Sequence, residues 1–172
     1  MPKHSRRTTM EQLEEQLNTT KKLWWLHDSY WHAAVVRELG EEKANELNLE
    51  AAERFFRRYT LMLLKNKDIQ KPTCIEDLVD IFKLVWKRCF FDDMYINEPI
   101  TIEGNEATWT GRQCHAFTSL SSAKMTNGYA CGCQSIRNGV MKALKLKTVH
   151  SIEKSLVAGD DECVIKFSYI PK

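Results

Sequence analysis

No stretch of this sequence approaches the roughly 18 unbroken apolar residues that a membrane-spanning helix needs, which excludes a helical membrane protein. An excess of charge of one sign is missing too, because 25 Lys and Arg stand against 23 Asp and Glu. Such a balance says little about partners, and nucleic-acid binding is not expected from it or from the basic run that follows. The one basic run, the opening "MPKHSRR", has no interleaved aromatic residue and no apolar stretch of the kind a signal sequence carries. It reads as a disordered tail over residues 1–9. Internal repeats, low-complexity segments and long linkers are also absent, so residues 10–172 are expected to form one domain. At 172 residues, 43% of them hydrophobic, the chain is large enough to bury a core without disulfides. A cytoplasmic location is expected, and there the six cysteines stay reduced unless a metal holds them.

The first half, residues 10–91, reads as helical. Thr8 and Glu11 have capping-box spacing, no proline interrupts the chain from there to Gly40, and Gly40 is a natural C-terminal stop. Within that span, Trp24, His27 and Trp31 share one face, which is expected to be buried. A second helix is expected from Glu41 to about Leu64. A third follows Pro72, with Thr73 and Glu76 as its capping box and Ile75, Leu78, Val79, Phe82, Val85, Trp86 and Cys89 along its apolar stripe.

The second half, residues 95–172, changes character. β-Branched and aromatic residues flank Gly104-Asn105, a hairpin signal. Helical spacing of Cys133, Ile136, Val140, Ala143 and Leu144 predicts a helix from Cys133 to Leu144. Two strands, Thr148 to Val157 and Cys163 to Ile170, close the chain around the tight reversal "AGDDE". The expected fold class is therefore α+β: a helical N-terminal half packed on a small antiparallel sheet, with a β-β-α-β-β order in the C-terminal half.

Cysteine is concentrated there. Cys74 and Cys89 fall at a helix start and on an apolar face, where a free thiol acts as a small hydrophobe. Cys114, Cys131, Cys133 and Cys163 fall near element ends, where separate segments can converge. Soft thiolates in such a set favour zinc over magnesium or calcium. The C-x-C spacing of "YACGCQSIRNG" is tighter than the usual zinc knuckle, so scattered core cysteines remain the alternative reading. Cys133 opens a helix, where unpaired N–H groups and the dipole favour the thiolate that metal binding or nucleophilic chemistry needs.

From Tyr129 to Tyr169, the residues Cys131, Gly139, Glu153 and "GDDEC" ending at Cys163 resemble the 4-vinyl reductase domain. That resemblance implies a mixed α/β domain, an antiparallel sheet around an apolar pocket for small organic molecules, and a zinc site. Cys131, Glu153 and Cys163 fall on the ligand positions. The family's further cysteine is replaced by Leu156, which leaves Cys133 as the substitute and Cys114 as another candidate ligand. From "LWWLHDSYWHAAVV" through "RQCHAF" and "CGC" to "GDDEC", the chain is also similar to an uncharacterised prokaryotic family grouped with L-2-amino-thiazoline-4-carboxylic acid hydrolase.

Glu153 and Cys163 share a face of the final hairpin only if the loop sets Val157 opposite Cys163, and a salt-bridged strand residue is the plainer reading of Glu153. Cys114 and His115 point to opposite faces if the strand continues through them. A His115 that reached Cys133 or Cys131 would make a base and nucleophile pair for a metal- or cysteine-dependent hydrolase. Trp24, His27, Trp31 and Trp86 are candidate walls of a ligand pocket. The reading that joins these features is a zinc-containing protein that binds a small organic molecule. An exposed aromatic helix face would instead suit an interaction module or a homodimer.

Overall fold

A computed structural model of the chain describes residues 9–97, 99–122, 128–147 and 149–170. The tail expected at residues 1–9 lies outside them but for Thr9, as does Thr148. The first helix, α1 (Met10–Leu39), starts at a capping box one residue later than expected. Thr9 Oγ1 accepts from Gln12 N at 3.2 Å, and Gln12 Oε1 accepts from Thr9 N at 2.9 Å, so a glutamine takes the role expected of Glu11. Gly40 stops the helix at φ +82°, and α2 (Glu41–Asn66) begins at the next residue.

The face of α1 that turns inward is not the expected one. Trp24 is 60% exposed and Trp31 45% exposed, and His27 is exposed as well. The stripe one residue on, Trp25, Asp28 and His32, faces the body of the protein, rotated by about 100° from the predicted stripe. Specific contacts fix that rotation. Trp25 Nε1 donates to Cys89 O at 3.0 Å and its ring stacks on Phe90, while Lys21 Nζ donates to Lys87 O at 2.7 Å.

In α3 (Ile75–Cys89) the predicted stripe is right, with Ile75, Leu78, Val79, Phe82 and Val85 buried. Its entry differs in detail. Thr73 donates to Asp77 Oδ2 from both N and Oγ1 at 2.8 Å, where Glu76 was expected to close the box. Cys89 is half-buried at the border of the core.

Among the described residues five antiparallel strands follow: β1 (Tyr95–Asn97), β2 (Thr101–Glu103), β3 (Glu106–Cys114), β4 (Val149–Lys154) and β5 (Cys163–Ser168). They run in the order β1-β3-β5-β4, with β2 pairing on β3 as well. The hairpin at Gly104-Asn105 forms as expected, with Glu103 opposite Glu106 and Gly104 at φ +60°. Two helices lie between β3 and β4: α4 (His115–Ser122) and α5 (Cys133–Leu144), the latter with its predicted bounds. The architecture is α+β.

The core lies between the sheet and α2, α3 and α5. Ala107, Ile165 and Phe167 are buried on the inner face of the sheet, and Phe82 meets Phe167 edge-on at 5.1 Å. Gly139 brings α5 against α2. A Cβ at that position would stand 2.5 Å from Glu53 O and 2.9 Å from Arg57 N, so no other residue fits at this separation. Among the described residues no helix is long and apolar enough to cross a membrane.

Candidate functional site

The segment that carries the C-x-C pair is clamped from α2. Asn45 Nδ2 donates to Gly128 O at 2.6 Å, and Asn45 Oδ1 accepts from Ala130 N at 3.1 Å. One side chain thus holds both ends of a short span and delivers Cys131 to the start of α5. Cys133 is the first residue of that helix, where backbone N–H groups lack intrahelical acceptors.

Cys131 and Cys133 form a coupled pair. The Cys131 thiol is held down at about 6, first by a hydrogen bond from the Cys133 side chain, then by the Cys133 backbone N–H and the Arg137 charge. Cys133 moves the other way, because the hydrogen bond it donates to Cys131, then burial, then the charge on Cys131 all oppose its ionisation. The pair therefore releases one proton readily and resists losing the second. Cys114, at the end of β3, is pushed up to about 11 chiefly by burial.

These three thiols line one cavity of about 870 Å³. Its walls are apolar and aromatic: Trp25 from α1, Phe55 and Phe56 from α2, Phe117 from α4, and Tyr95 and Tyr129 beside the thiols. His32, 8% exposed, also lines it and meets Tyr129 edge-on at 5.9 Å. Burial lowers the His32 pKa against the pull of Asp28, and burial raises Asp28. The cavity is thus lined mainly by apolar groups, and in its wall Cys131, Cys133 and Tyr129 lie close enough to shift one another's titration.

Arg137, one turn along α5 from Cys133, is 4% exposed and within electrostatic reach of Cys131, Cys133, Cys163 and Tyr95. Cys163 does not line the cavity. It lies on β5 with the inward residues Ile165 and Phe167, paired with Gly111, and its sulfur accepts from Leu156 N at 3.4 Å.

The other predicted site residues are spread apart. Trp24 lines the cavity from an exposed position, while His27 stacks on Trp24 outside it and Trp31 stands clear. Trp86 belongs to a separate, smaller pocket. Glu153 sits where the β4–β5 register slips and its carboxylate pairs with Lys166 at 2.9 Å. Lys166 alternates outward from Cys163 and Ile165, so Glu153 and Cys163 are on opposite faces, and Val157 is in a 3₁₀ turn, Leu156–Ala158. His115 begins α4, packs edge-on to Phe91 at 5.0 Å and shares a hydrogen bond with Ser119. It lies outside the cavity's lining, and the structure does not bring it to Cys133. Among the described residues, no three His, Cys, Asp or Glu side chains are arranged to hold a metal ion. The thiols suit zinc by type but not by arrangement.

Sequence reasoning missed His32, Tyr129 and Arg137. Two had a signal. His32 continues the helical spacing of Trp25 and Asp28, and Arg137 is an arginine placed between Cys133 and Val140 on a stripe expected to be buried.

The architecture has a known counterpart. A trafficking protein particle complex subunit 3 from Naegleria fowleri, solved covalently bound to palmitic acid, superposes with a TM-score of 0.53 at 10% identity. The match covers 92% of this chain and 98% of that one. An H-NOX domain from Shewanella oneidensis, solved by NMR in its Fe(II)CO state, gives a TM-score of 0.48 at 14% identity over 81% of this chain and 74% of that one. No family model and no curated protein matches the chain. The Naegleria comparison carries the fold alone, a small α+β domain, and neither neighbour bears the vinyl reductase or thiazoline hydrolase name.

Proposed function

We propose that the protein binds a small, largely apolar organic molecule in the cavity of about 870 Å³, with the polar end of the ligand at Cys131 and Tyr129. The observation that carries this reading is the cavity itself: its size lies within the roughly 300–1,000 Å³ typical of small-molecule sites, and aromatic walls converge on a few polar groups. Binding needs no further chemistry. Apolar surface leaves water, and Tyr129, His32 and the thiols orient whatever polar group the ligand carries.

A second reading is favoured by the ease with which the Cys131–Cys133 pair ionises. A thiolate in the wall of an apolar cavity can attack the carbonyl of an incoming thioester, forming a new thioester on Cys131 and releasing the donor thiol as thiolate. The Naegleria subunit of the same fold carries palmitic acid covalently. In a hydrolytic version of this reading the base is His32 with Asp28, since His115 is elsewhere. Zinc held by Cys131, Cys133 and Cys163, with Glu153 or Cys114 as fourth ligand, is a proposal that requires these side chains to regroup.

One experiment separates the readings. Apolar phenols, hydrocarbons and fatty acyl thioesters are screened by thermal shift, and each stabilising compound is then incubated with the protein and analysed by mass spectrometry. Recovery of unchanged ligand, with zinc well below one per chain by elemental analysis, is expected. A mass increase on the protein that disappears in Cys131→Ala would select the covalent reading. One zinc per chain, lost in Cys163→Ser, would turn the thiols into a metal site.

A further inference from the structure

Cys131 and Cys133 stand in the arrangement that a disulfide needs. Gly132 between them has φ −71° and ψ −12°, the backbone of a helical residue. A helical residue holds its two flanking Cα atoms about 5.4 Å apart, inside the range of about 4.4–6.8 Å that a disulfide spans. The side chains face each other, since the Cys133 thiol donates a hydrogen bond to the Cys131 sulfur. Both sulfurs ride on held backbone, with Asn45 bonded to Gly128 and Ala130 on one side and α5 on the other.

Both cysteines are partly exposed, and both line the cavity of about 870 Å³. Whatever reaches them from there passes apolar and aromatic walls. A reactant with a hydrocarbon body gains from burial in such a cavity, whereas a charged one loses its hydration.

We propose that the Cys131–Cys133 pair is a redox site that reduces an apolar organic hydroperoxide admitted to this cavity, a substrate class that rests on the binding reading above. Cys131 attacks the terminal peroxide oxygen as the thiolate. The O–O bond breaks, its electron pair leaves on the alkoxide, and the Cys133 thiol supplies the proton that makes the alcohol. Cys131 is then a sulfenic acid. The Cys133 thiolate attacks its sulfur, the S–O bond breaks, and the departing hydroxide takes up the proton that Cys131 gave up at the start. Two thiols and one hydroperoxide thus become one disulfide, one alcohol and one water, with two electrons passing from sulfur to oxygen. A dithiol reductant reopens the bond by exchange.

The test compares cumene hydroperoxide with its alcohol product, 2-phenyl-2-propanol, on the full chain reduced beforehand and freed of reductant. The alcohol reads entry to the cavity alone and should raise Tm without changing the protein's mass. The hydroperoxide should lower the intact mass by about 2 Da, mapped to a Cys131–Cys133 disulfide, and dithiothreitol should restore it. Cys133→Ser should stop at a Cys131 sulfenic acid, about 16 Da heavier and trapped by dimedone. Cys74→Ser, at the entry to α3 and outside the cavity's lining, should react like wild type. Hydrogen peroxide, which has no hydrocarbon body, should react at least about tenfold more slowly than cumene hydroperoxide. A Tm shift with the alcohol but no disulfide with the hydroperoxide would overturn the redox site and leave the binding reading standing; no shift and no disulfide would overturn both. A disulfide mapped to Cys114 or Cys163, or equal rates with the two peroxides, would also overturn the proposal, and the mapping in wild type decides it even if Cys133→Ser fails to fold.

Discussion

Alkylation by iodoacetamide reads out the Cys131–Cys133 pair directly. A thiol that ionises at about 6 is half thiolate at pH 6, whereas an ordinary cysteine near 8.5 is only about 0.3% ionised there. That difference favours Cys131 by roughly 150-fold. The less basic thiolate is also a weaker nucleophile, by roughly tenfold for a Brønsted slope of about 0.4–0.5 over this pKa interval. The net expectation is labelling about tenfold faster than free cysteine at pH 6, and about tenfold slower at pH 9, where both thiols are ionised. Peptide mapping of protein quenched early in the reaction should find the label on Cys131. Arg137→Met, which removes the charge that adds to the Cys133 hydrogen bonds in stabilising the thiolate, should move the midpoint upward. A profile with its midpoint at about 8.5, or first labelling at Cys114 or Cys163, would refute the hydrogen-bonded pair as described.

Gly139→Ala should destabilise the protein, because the new methyl would meet backbone atoms of Glu53 and Arg57 rather than a flexible side chain. Overpacking of about 1–3 kcal/mol exceeds the gain in helix propensity of about 1 kcal/mol, so thermal melting should fall by a few degrees; an unchanged or raised Tm would show that α2 and α5 are less closely packed. Stability should also fall on acidification. Above about 6.5 His32 is unprotonated in both folded and unfolded chains, whereas below it the unfolded chain takes up the proton that the buried ring resists. Cys131 acts in the same direction: its depressed pKa contributes stability that is complete above the ordinary thiol value and lost as the pH falls through about 6. Urea denaturation at pH 7.5 and 5.5 should show this loss, and His32→Gln should flatten part of it; equal midpoints at the two pH values would contradict both assignments.

Much of the fold was legible because its signals are local. The stop at Gly40, the stripe of α3, the turn at Gly104-Asn105 and the bounds of α5 each rest on periodicity or turn chemistry within a few residues. Helix α4 was not, since "HAFTSLSS" is rich in hydroxyl residues that compete with helix formation. Within the helix these hydroxyls bond back to carbonyls one turn earlier, Thr118 Oγ1 to Cys114 O at 3.0 Å and Ser122 Oγ to Thr118 O at 2.9 Å, rather than to competing partners outside it. Strand β1 has three residues, too few to show alternation. The rotation of α1 was hidden for a different reason. Both Trp24-His27-Trp31 and Trp25-Asp28-His32 have helical spacing, and only contacts with distant residues, such as Trp25 with Cys89, decide which stripe is buried.

The site divides in the same way. Cys114, Cys131 and Cys133, expected to converge because they fall near element ends, line one cavity, whereas Cys163, expected there on the same ground, does not. The position of Glu153 was not legible, because it depends on a register slip in β4. Arg137 changes the meaning of the cluster, since a buried cation beside the thiols stabilises a thiolate without any metal.

The central claim, that the cavity of about 870 Å³ takes up a small apolar ligand, is tested most directly by native mass spectrometry and thermal melting with a neutral probe, 1-naphthol. Wild-type protein should bind one molecule per chain in this cavity, and at about 100 times Kd should gain about 2.7 kcal/mol, raising Tm by about 5–10 °C. Ala52→Phe, which places a ring in the cavity from α2, should lose both signals while keeping its fold. Equal binding by wild type and Ala52→Phe, or no binding by either, would contradict the account.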